Sequence, residues 1–236
     1  MHTSSLFPLN NRLLAAVPPD ELGRLLPKLS RVHLPRGRLI YNVGDTVRYV
    51  YFPASGMCSL LAATEGGALL EVGVVGTDGL VGLPAVLRGG VTRHEVMAQL
   101  DTNAFRISAE SLRAAVACGG VLQEVLLRYA YTLFVQVSQT ALCNRFHTIR
   151  QRLCRWLLIS LDATGSDTVH LTQEFLSYML GVPRTGVTLA AGDLQKAGLI
   201  SYRRGRIKAL DRARLERAAC ECYRVTHAEV RRAITA

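Results

Sequence analysis

Arg184, Thr185 and Thr188 follow directly on a Gly181-Val182-Pro183 turn, and Arg203, Arg204 and Arg206 surround Gly205 further along the chain. Guanidinium and hydroxyl groups near the start of a helix can reach base edges and phosphates in a major groove, and cations on a hairpin can meet the neighbouring phosphates. Arg184 is the candidate for a direct base contact, because a guanidinium can grip guanine by two hydrogen bonds. Thr185 and Thr188 are placed for bases or phosphates. Thr172, Gln173, Arg203, Arg204 and Arg206 are candidates for holding the DNA backbone. Thr185, Gly186 and Thr188 are small enough to let a duplex come close.

Two short helices and a hairpin must position these groups. Thr172 is suited to cap a helix, with Gln173 and Glu174 in its first turn, where the helix dipole favours acceptors and negative charge. Phe175, Leu176, Met179 and Leu180 recur at helical spacing, and Gly181 stands where a chain leaving a helix often needs positive φ. Pro183 suits the first position of a second helix, in which Val187, Ala190, Ala191 and Leu194 face inward and Arg184, Thr185, Thr188 and Gly192 face outward. That helix ends at Ala197-Gly198. The runs 199–202 and 206–210 then predict two short strands around Arg203-Arg204-Gly205. The whole reads as a winged helix-turn-helix, against the alternative of an ordinary helical hairpin with a solvated, charged turn.

The chain has 236 residues and a formal charge of +10, enough for two modest domains and suited to a polyanionic partner. Residues 148–236 carry 15 Lys/Arg against 8 Asp/Glu, whereas residues 1–147 carry 13 against 10. The excess positive charge therefore lies with the helix-turn-helix. No apolar run reaches the roughly 18 residues of a membrane span, and the N-terminus resembles no cleavable signal, so a soluble cytoplasmic protein with no membrane partner is expected. Cys58, Cys118, Cys143, Cys154, Cys220 and Cys222 show no disulfide-framework spacing, which fits a reducing compartment.

Catalytic and metal sites are not expected. His2, His33, His94, His147, His170 and His227 lack metal-enzyme spacings, and Ser59 and Ser108 have no recognisable base near them in sequence. Cys220-Glu221-Cys222, read as helical, would point its two thiols about 200° apart. A solvated face is expected for Arg212, Arg214 and Arg217, which are mixed with Asp211, Glu216 and Glu221.

The N-terminal half has a different texture. Pro18-Pro19 and Pro27 punctuate a helical lead-in over residues 13–29, with Asp20 placed to cap a helix over Leu22, Leu25 and Leu26. From Val32 to about Ala109 come short β-prone runs, at 38–43, 49–52, 58–63, 69–75, 95–100 and 102–107, which imply a β-sandwich or roll. Residues 121–146 contain neither proline nor glycine and predict one long helix, apolar round more than one face. One face can pack on its own β-roll and another on the same helix of a second subunit, with Leu122, Leu126, Tyr129, Leu133 and Gln136 as seam positions. The next helix, from Ile149 to Leu161, turns Leu153, Trp156, Leu157 and Leu158 inward and Arg150, Arg152 and Arg155 outward. A hinge is expected near Phe146-His147, and Trp156 reads as a core residue of the second domain.

Gly44-Asp45, Tyr49-Val50-Tyr51-Phe52-Pro53 and Gly56 resemble the early strands of the cyclic-nucleotide-binding β-roll. With the long helix and the winged helix-turn-helix behind them, the order over residues 13–210 resembles the Crp/Fnr family of bacterial transcription regulators. The resemblance implies an α+β fold: an N-terminal β-roll of double-stranded β-helix, or jelly-roll, type over residues 1–120, a dimerisation helix and hinge over 121–147, and a winged helix-turn-helix over 148–236. It implies a homodimer on double-stranded DNA, with RNA polymerase and a small-molecule effector as further partners and no resident cofactor. Cyclic-nucleotide-binding members hold the ribose with the Glu of a Gly-Glu-Leu segment and the cyclic phosphate with an Arg-Ser pair. Here Val81-Gly82-Leu83 and Thr92-Arg93 fall on those segments, so the carboxylate is missing and Arg93 is one step out of register. Standard cyclic AMP binding is disfavoured. Gly79, Gly82, Leu83, Thr92 and Arg93 remain the candidate effector-binding residues, in a glycine-rich loop that either presents backbone donors to an anion or serves as a tight turn. The family's acidic residue after the recognition arginine is replaced by Thr185 and its later arginine by Leu189, so the family's target sequence does not transfer. The iron-sulfur members' N-terminal cysteine cluster is absent. The second reading is a ligand-binding regulatory protein whose helix-turn-helix serves protein interaction.

Overall fold

The computed structural model describes residues 10–87 and 89–235; His2 lies outside them. The lead-in is two short helices, α1 (Arg12–Ala15) and α2 (Pro19–Leu25), followed by a 3₁₀ turn at Leu26–Lys28. Asn11 caps α1 by accepting from the Leu14 N–H at 3.1 Å. Its buried amide also donates to the Pro53 and Gly79 carbonyls, each at 2.9 Å. Asp20 does not cap α2: Pro18 occupies that position, and Asp20 lies in the first turn beside Glu21.

Among the described residues, seven strands form the β-roll: β1 (Ser30–Leu34), β2 (Leu39–Tyr41), β3 (Tyr49–Pro53), β4 (Cys58–Ala63), β5 (Leu69–Val75), β6 (Glu95–Ala98) and β7 (Thr102–Ser108). They make two antiparallel sheets, β1-β7-β3 and β2-β6-β4-β5. β1 escapes sequence reading because its alternation is confined to Val32 and Leu34, of which only Leu34 is buried, too short a pattern to mark a strand. Val50, Phe52 and Ile107 of one sheet pack with Tyr41, Leu60, Val75 and Val96 of the other. β4 is covered on both sides. Cys58 and Leu60 face the roll core, while Met57, just before the strand, and Leu61 join a second core built largely from C-terminal residues. Burial on both faces explains why β4 reads as an almost continuous apolar run.

β7 leads into α3 (Ala109–Ala117), capped by Ser108, and then into α4 (Val121–Phe146). The N-terminus of α4 has no cap of its own. Glu21 supplies one from α2, its carboxylate accepting from the Val121 and Leu122 N–H groups at 3.0 Å each. That places a negative charge where the first unpaired donors and the helix dipole favour it.

The C-terminal part comprises α5 (Ile149–Thr164), β8 (Thr168–His170), α6 (Gln173–Leu180), α7 (Arg184–Lys196), β9 (Ile200–Arg203), β10 (Arg206–Ala209), α8 (Arg212–Ala218) and α9 (Cys222–Thr235). Thr148 and Gln151 form a capping box at the start of α5. The expected two-stranded hairpin gains a third strand, since β10 lies between β8 and β9 in one sheet, β8-β10-β9. Trp156 lies in the second core, with Leu153, Leu157 and Leu158. Arg152 and Arg155 are buried, contrary to the outward orientation expected for them. Arg152 donates to the Leu180 carbonyl at the end of α6, and Arg155 donates to Thr140 Oγ1 of α4 at 3.0 Å. Their stems cover apolar surface while the head groups find acceptors on neighbouring helices, which helical spacing alone does not reveal. Among the described residues, no helix is long and apolar enough to cross a membrane.

Candidate nucleic-acid interface and sensor loop

The helix-turn-helix is built by local chemistry. Thr172 Oγ1 accepts from the Phe175 N–H at 3.1 Å, and Gly181 ends α6 at φ 59°. Gly181 also packs tightly, since a Cβ there would come within 2.5 Å of Leu70 Cδ1 on the β-roll. Pro183 is the residue before α7, one position earlier than expected, and Arg184 opens the helix. A cation at a helix N-terminus opposes the dipole. Arg184 therefore gains nothing locally from its place, and its exposed side chain is free to serve a ligand. Val187, Ala190, Ala191 and Leu194 are buried, as the periodicity requires.

Thr172, Gln173, Arg184, Thr188, Arg204 and Gly205 line one surface groove of about 440 Å³. Thr188 Oγ1 lies 2.9 Å from Gln173 Oε1 and 3.0 Å from the Arg184 carbonyl, so it orients the Gln173 amide across the two helices. Thr185, Arg203 and Arg206 are exposed nearby in sequence. Gly186 does not serve close approach from outside. A Cβ there would stand 2.8 Å from Ile149 Cδ1, so its small size lets α7 seat on α5. Leu189 is 71% exposed on the outer side of α7, which places an apolar side chain beside the groove residues.

The wing turn joins Arg203 to Arg206 through a two-residue loop. Arg204 has φ 48° and Gly205 φ 76°, positive at both central positions as in a type I′ turn. Asn-Gly is the usual choice there; an arginine in the left-handed region costs about 1–2 kcal/mol. Among described non-glycine residues, Arg204 alone has positive φ. The strain holds a cation at the hairpin tip.

The face of α4 presented outward differs from the expected seam. Leu122, Leu126 and Tyr129 are buried in the chain's own roll core, Leu133 packs against that core, and Gln136 Oε1 accepts from the Val74 N–H at 2.8 Å. Leu127, Tyr131 and Phe134 lie outward, 52%, 61% and 68% exposed. Periodicity identified a helix with two apolar faces but could not say which face the roll would take.

Two family models match the chain in tandem: the cyclic nucleotide-binding domain over residues 31–117 and the Crp-like helix-turn-helix domain over residues 151–218. The chain belongs to the Crp/Fnr family of transcription regulators. It is 22% identical over 214 residues to the CRP-like cAMP-activated global transcriptional regulator of Mycobacterium tuberculosis, covering 88% of this chain and 96% of the relative. Identity to the global nitrogen regulator of Synechococcus elongatus is 24% over 197 residues, covering 79% and 88%. Among solved structures, FixK2 from Bradyrhizobium japonicum superposes with a TM-score of 0.70 at 17% identity, over 81% of this chain and 98% of that one.

In this Crp/Fnr chain the loop 76–84 is pinned from several sides. Asn11 donates to the Gly79 carbonyl at 2.9 Å, and Tyr129 Oη of α4 donates to the Leu80 carbonyl at 3.1 Å. A Cβ on Gly79 would meet the Tyr129 hydroxyl at 2.7 Å, so glycine here serves contact with α4. Gly82 has φ 102° and lies against Val47 and Val50. Leu83 and Thr92 are buried, and Thr92 Oγ1 accepts from the His94 N–H at 3.1 Å. Arg93 is exposed before β6. Burial raises the pKa of Asp78 in the same loop. The loop's Gly76, Thr77 and Asp78 border a cleft of about 470 Å³ between the roll and the C-terminal part, which Arg12, Asp162, Arg212 and His227 also line.

The domains meet at Glu71. Its carboxylate accepts from Trp156 Nε1 at 2.8 Å, Ser59 Oγ at 2.6 Å and Gln99 Nε2 at 3.2 Å. Burial raises its pKa to about 7 against the opposing pull of these bonds and of Arg155.

Cys220 and Cys222 also depart from expectation. Cys220 lies in the link before α9, not on a helix, so the 200° rule does not separate the pair. With Cys143 and His147 they form a cluster whose ligand atoms all lie within 4.8 Å of one another. The Cys143-x-x-x-His147 spacing on the last turn of α4 was the available sequence signal.

Proposed function

We propose that this chain is a dimeric, sequence-specific DNA-binding transcription regulator in which α7 enters the major groove and the wing lies along the adjacent backbone. The observation that carries the reading is the single groove lined by Thr172, Gln173, Arg184, Thr188 and Arg204, since side chains from both helices and the wing must face one duplex together. Arg184 and Thr185 read bases, and exposed Leu189 suits the methyl group of thymine. Gln173, Arg203, Arg204 and Arg206 hold phosphates. Leu127, Tyr131 and Phe134 form the seam with a second copy, which sets two α7 helices on a two-fold operator. RNA polymerase is the partner through which the bound dimer acts on transcription.

The β-roll biases that geometry. Tyr129 connects loop 76–84 to the dimer helix, and Glu71 connects the roll to α5, so a ligand that favours one arrangement of the loop shifts the helix pair. The ligand is not cyclic AMP held in the usual way: Gly82 replaces the ribose carboxylate and Arg93 is directed to solvent. In vitro selection from a random duplex library, with and without candidate effectors, tests the proposal. A palindromic consensus is expected. Absence of duplex binding at low salt overturns it in favour of a protein-interacting regulator.

A further inference from the structure

The end of α4 and the start of α9 bring together three thiols and an imidazole. Cys143 projects from the last turn of α4 and His147 is the extended residue that caps the helix four positions on, while Cys220 and Cys222 flank Glu221 at the entry to α9. Cys143 Sγ lies 3.5 Å from Cys220 Sγ, and Cys222 Sγ lies 3.6 Å from His147 Nδ1. A tetrahedral zinc ion with Zn–S near 2.3 Å and Zn–N near 2.0 Å sets ligand atoms about 3.5–3.8 Å apart. The observed separations fall at that spacing.

We propose that Cys143, His147, Cys220 and Cys222 bind one zinc ion in a closed tetrahedral site that fastens the C-terminal helix to the hinge between α4 and α5.

Three further features fit a metal. His147 Nε2 is 3.2 Å from Glu221 Oε1, which leaves Nδ1 facing the thiols and gives the imidazole the carboxylate partner that orients metal-bound histidine. The three cysteines are buried, so a thiolate set is shielded from solvent. Arg155 adds positive charge beside Cys143, and its buried Nε has no hydrogen-bond acceptor. A cation offsets the net negative charge of three thiolates around Zn²⁺. Soft sulfur ligands select zinc over calcium or magnesium, and four protein ligands with no open position mark a structural site, not a catalytic one.

The site's position gives it a consequence. His147 is the residue where α4 ends, and Thr148 begins the cap of α5. Zinc held there fixes the hinge and the start of α9 together; its removal frees both. Binding releases the thiol protons to solvent and changes no oxidation state.

The full-length protein, purified under reductant, is assayed for zinc by mass spectrometry. The apoprotein is then titrated with Co²⁺. Stoichiometric zinc and the intense visible absorption of tetrahedral cobalt bound to thiolate are expected, both lost in Cys143→Ser and Cys222→Ser and retained in Cys118→Ser. Glu221→Gln keeps all four ligands and should weaken zinc about 10–100-fold in a chelator competition, which tests the site even where the cysteine variants fail to fold. Absence of thiolate-to-cobalt absorption in the folded apoprotein, or its survival in Cys222→Ser, overturns the proposal. Recovery of a Cys143–Cys220 disulfide from zinc-treated, reductant-purified protein would replace the metal by a redox pair.

Discussion

Trp156 of α5 donates its indole N–H to the buried carboxylate of Glu71 on β5 at 2.8 Å, tying the first helix of the C-terminal part to the β-roll. A buried carboxyl held by several donors, with a pKa raised to about 7, makes this junction sensitive to pH near neutrality.

The sign follows from linkage. Glu71 is protonated in the folded chain up to about pH 7, whereas in the unfolded chain it ionises near pH 4.3. Between these values the native state binds more protons, so its stability is complete at low pH and falls as pH rises towards 7, by roughly 3–4 kcal/mol in all. Thermal melts of wild type and Glu71→Gln across pH 4–9 should diverge, the variant losing this component of the slope and gaining relative stability above pH 7. Parallel curves would show that Glu71 does not titrate there.

The proposed dimer seam separates two classes of leucine and aromatic residues on one helix. Charging the outward face with Tyr131→Asp and Phe134→Asp should dissociate the dimer in sedimentation experiments while leaving circular dichroism at native values. Leu126→Ala removes a side chain from the roll core and should cost about 2–5 kcal/mol of stability. If the Leu126 variant instead dissociates without loss of stability, the inner face of α4 is the seam.

Arg184 and Arg204 should differ in kind. Arg184→Ala is expected to lose about 1–3 kcal/mol of base discrimination at one position of each half-site, measured by competition between operator variants. Arg204→Asn should relieve the strained turn and raise the melting temperature, yet weaken all duplexes alike and lower the salt slope by about one. An Arg204 variant with unchanged salt dependence would remove the wing from the interface.

Gly186→Ala tests a packing role that its neighbours in sequence disguise. The added methyl meets Ile149 Cδ1 at 2.8 Å and should destabilise the chain by about 1–3 kcal/mol. Ile149→Val in the same chain should restore part of the loss.

Short-range physics determined much of this protein in sequence alone. Caps, positive-φ glycines, proline placement and the 3.6-residue period fixed α4 at its observed limits, set α6 and α7 with their inward residues, and identified the cationic wing, because each signal acts within a few residues. The tertiary structure decided what local signals cannot carry. It assigned the inner face of α4 to the roll and left Leu127, Tyr131 and Phe134 outward, since two apolar faces compete equally until the partner surface is present. It buried Arg152 and Arg155, whose acceptors come from other helices, and it let Glu21 cap a helix about 100 residues away. It joined Cys143 and His147 to Cys220 and Cys222 across 77 positions of chain. Such contacts depend on how the elements pack, and no window of sequence contains both partners.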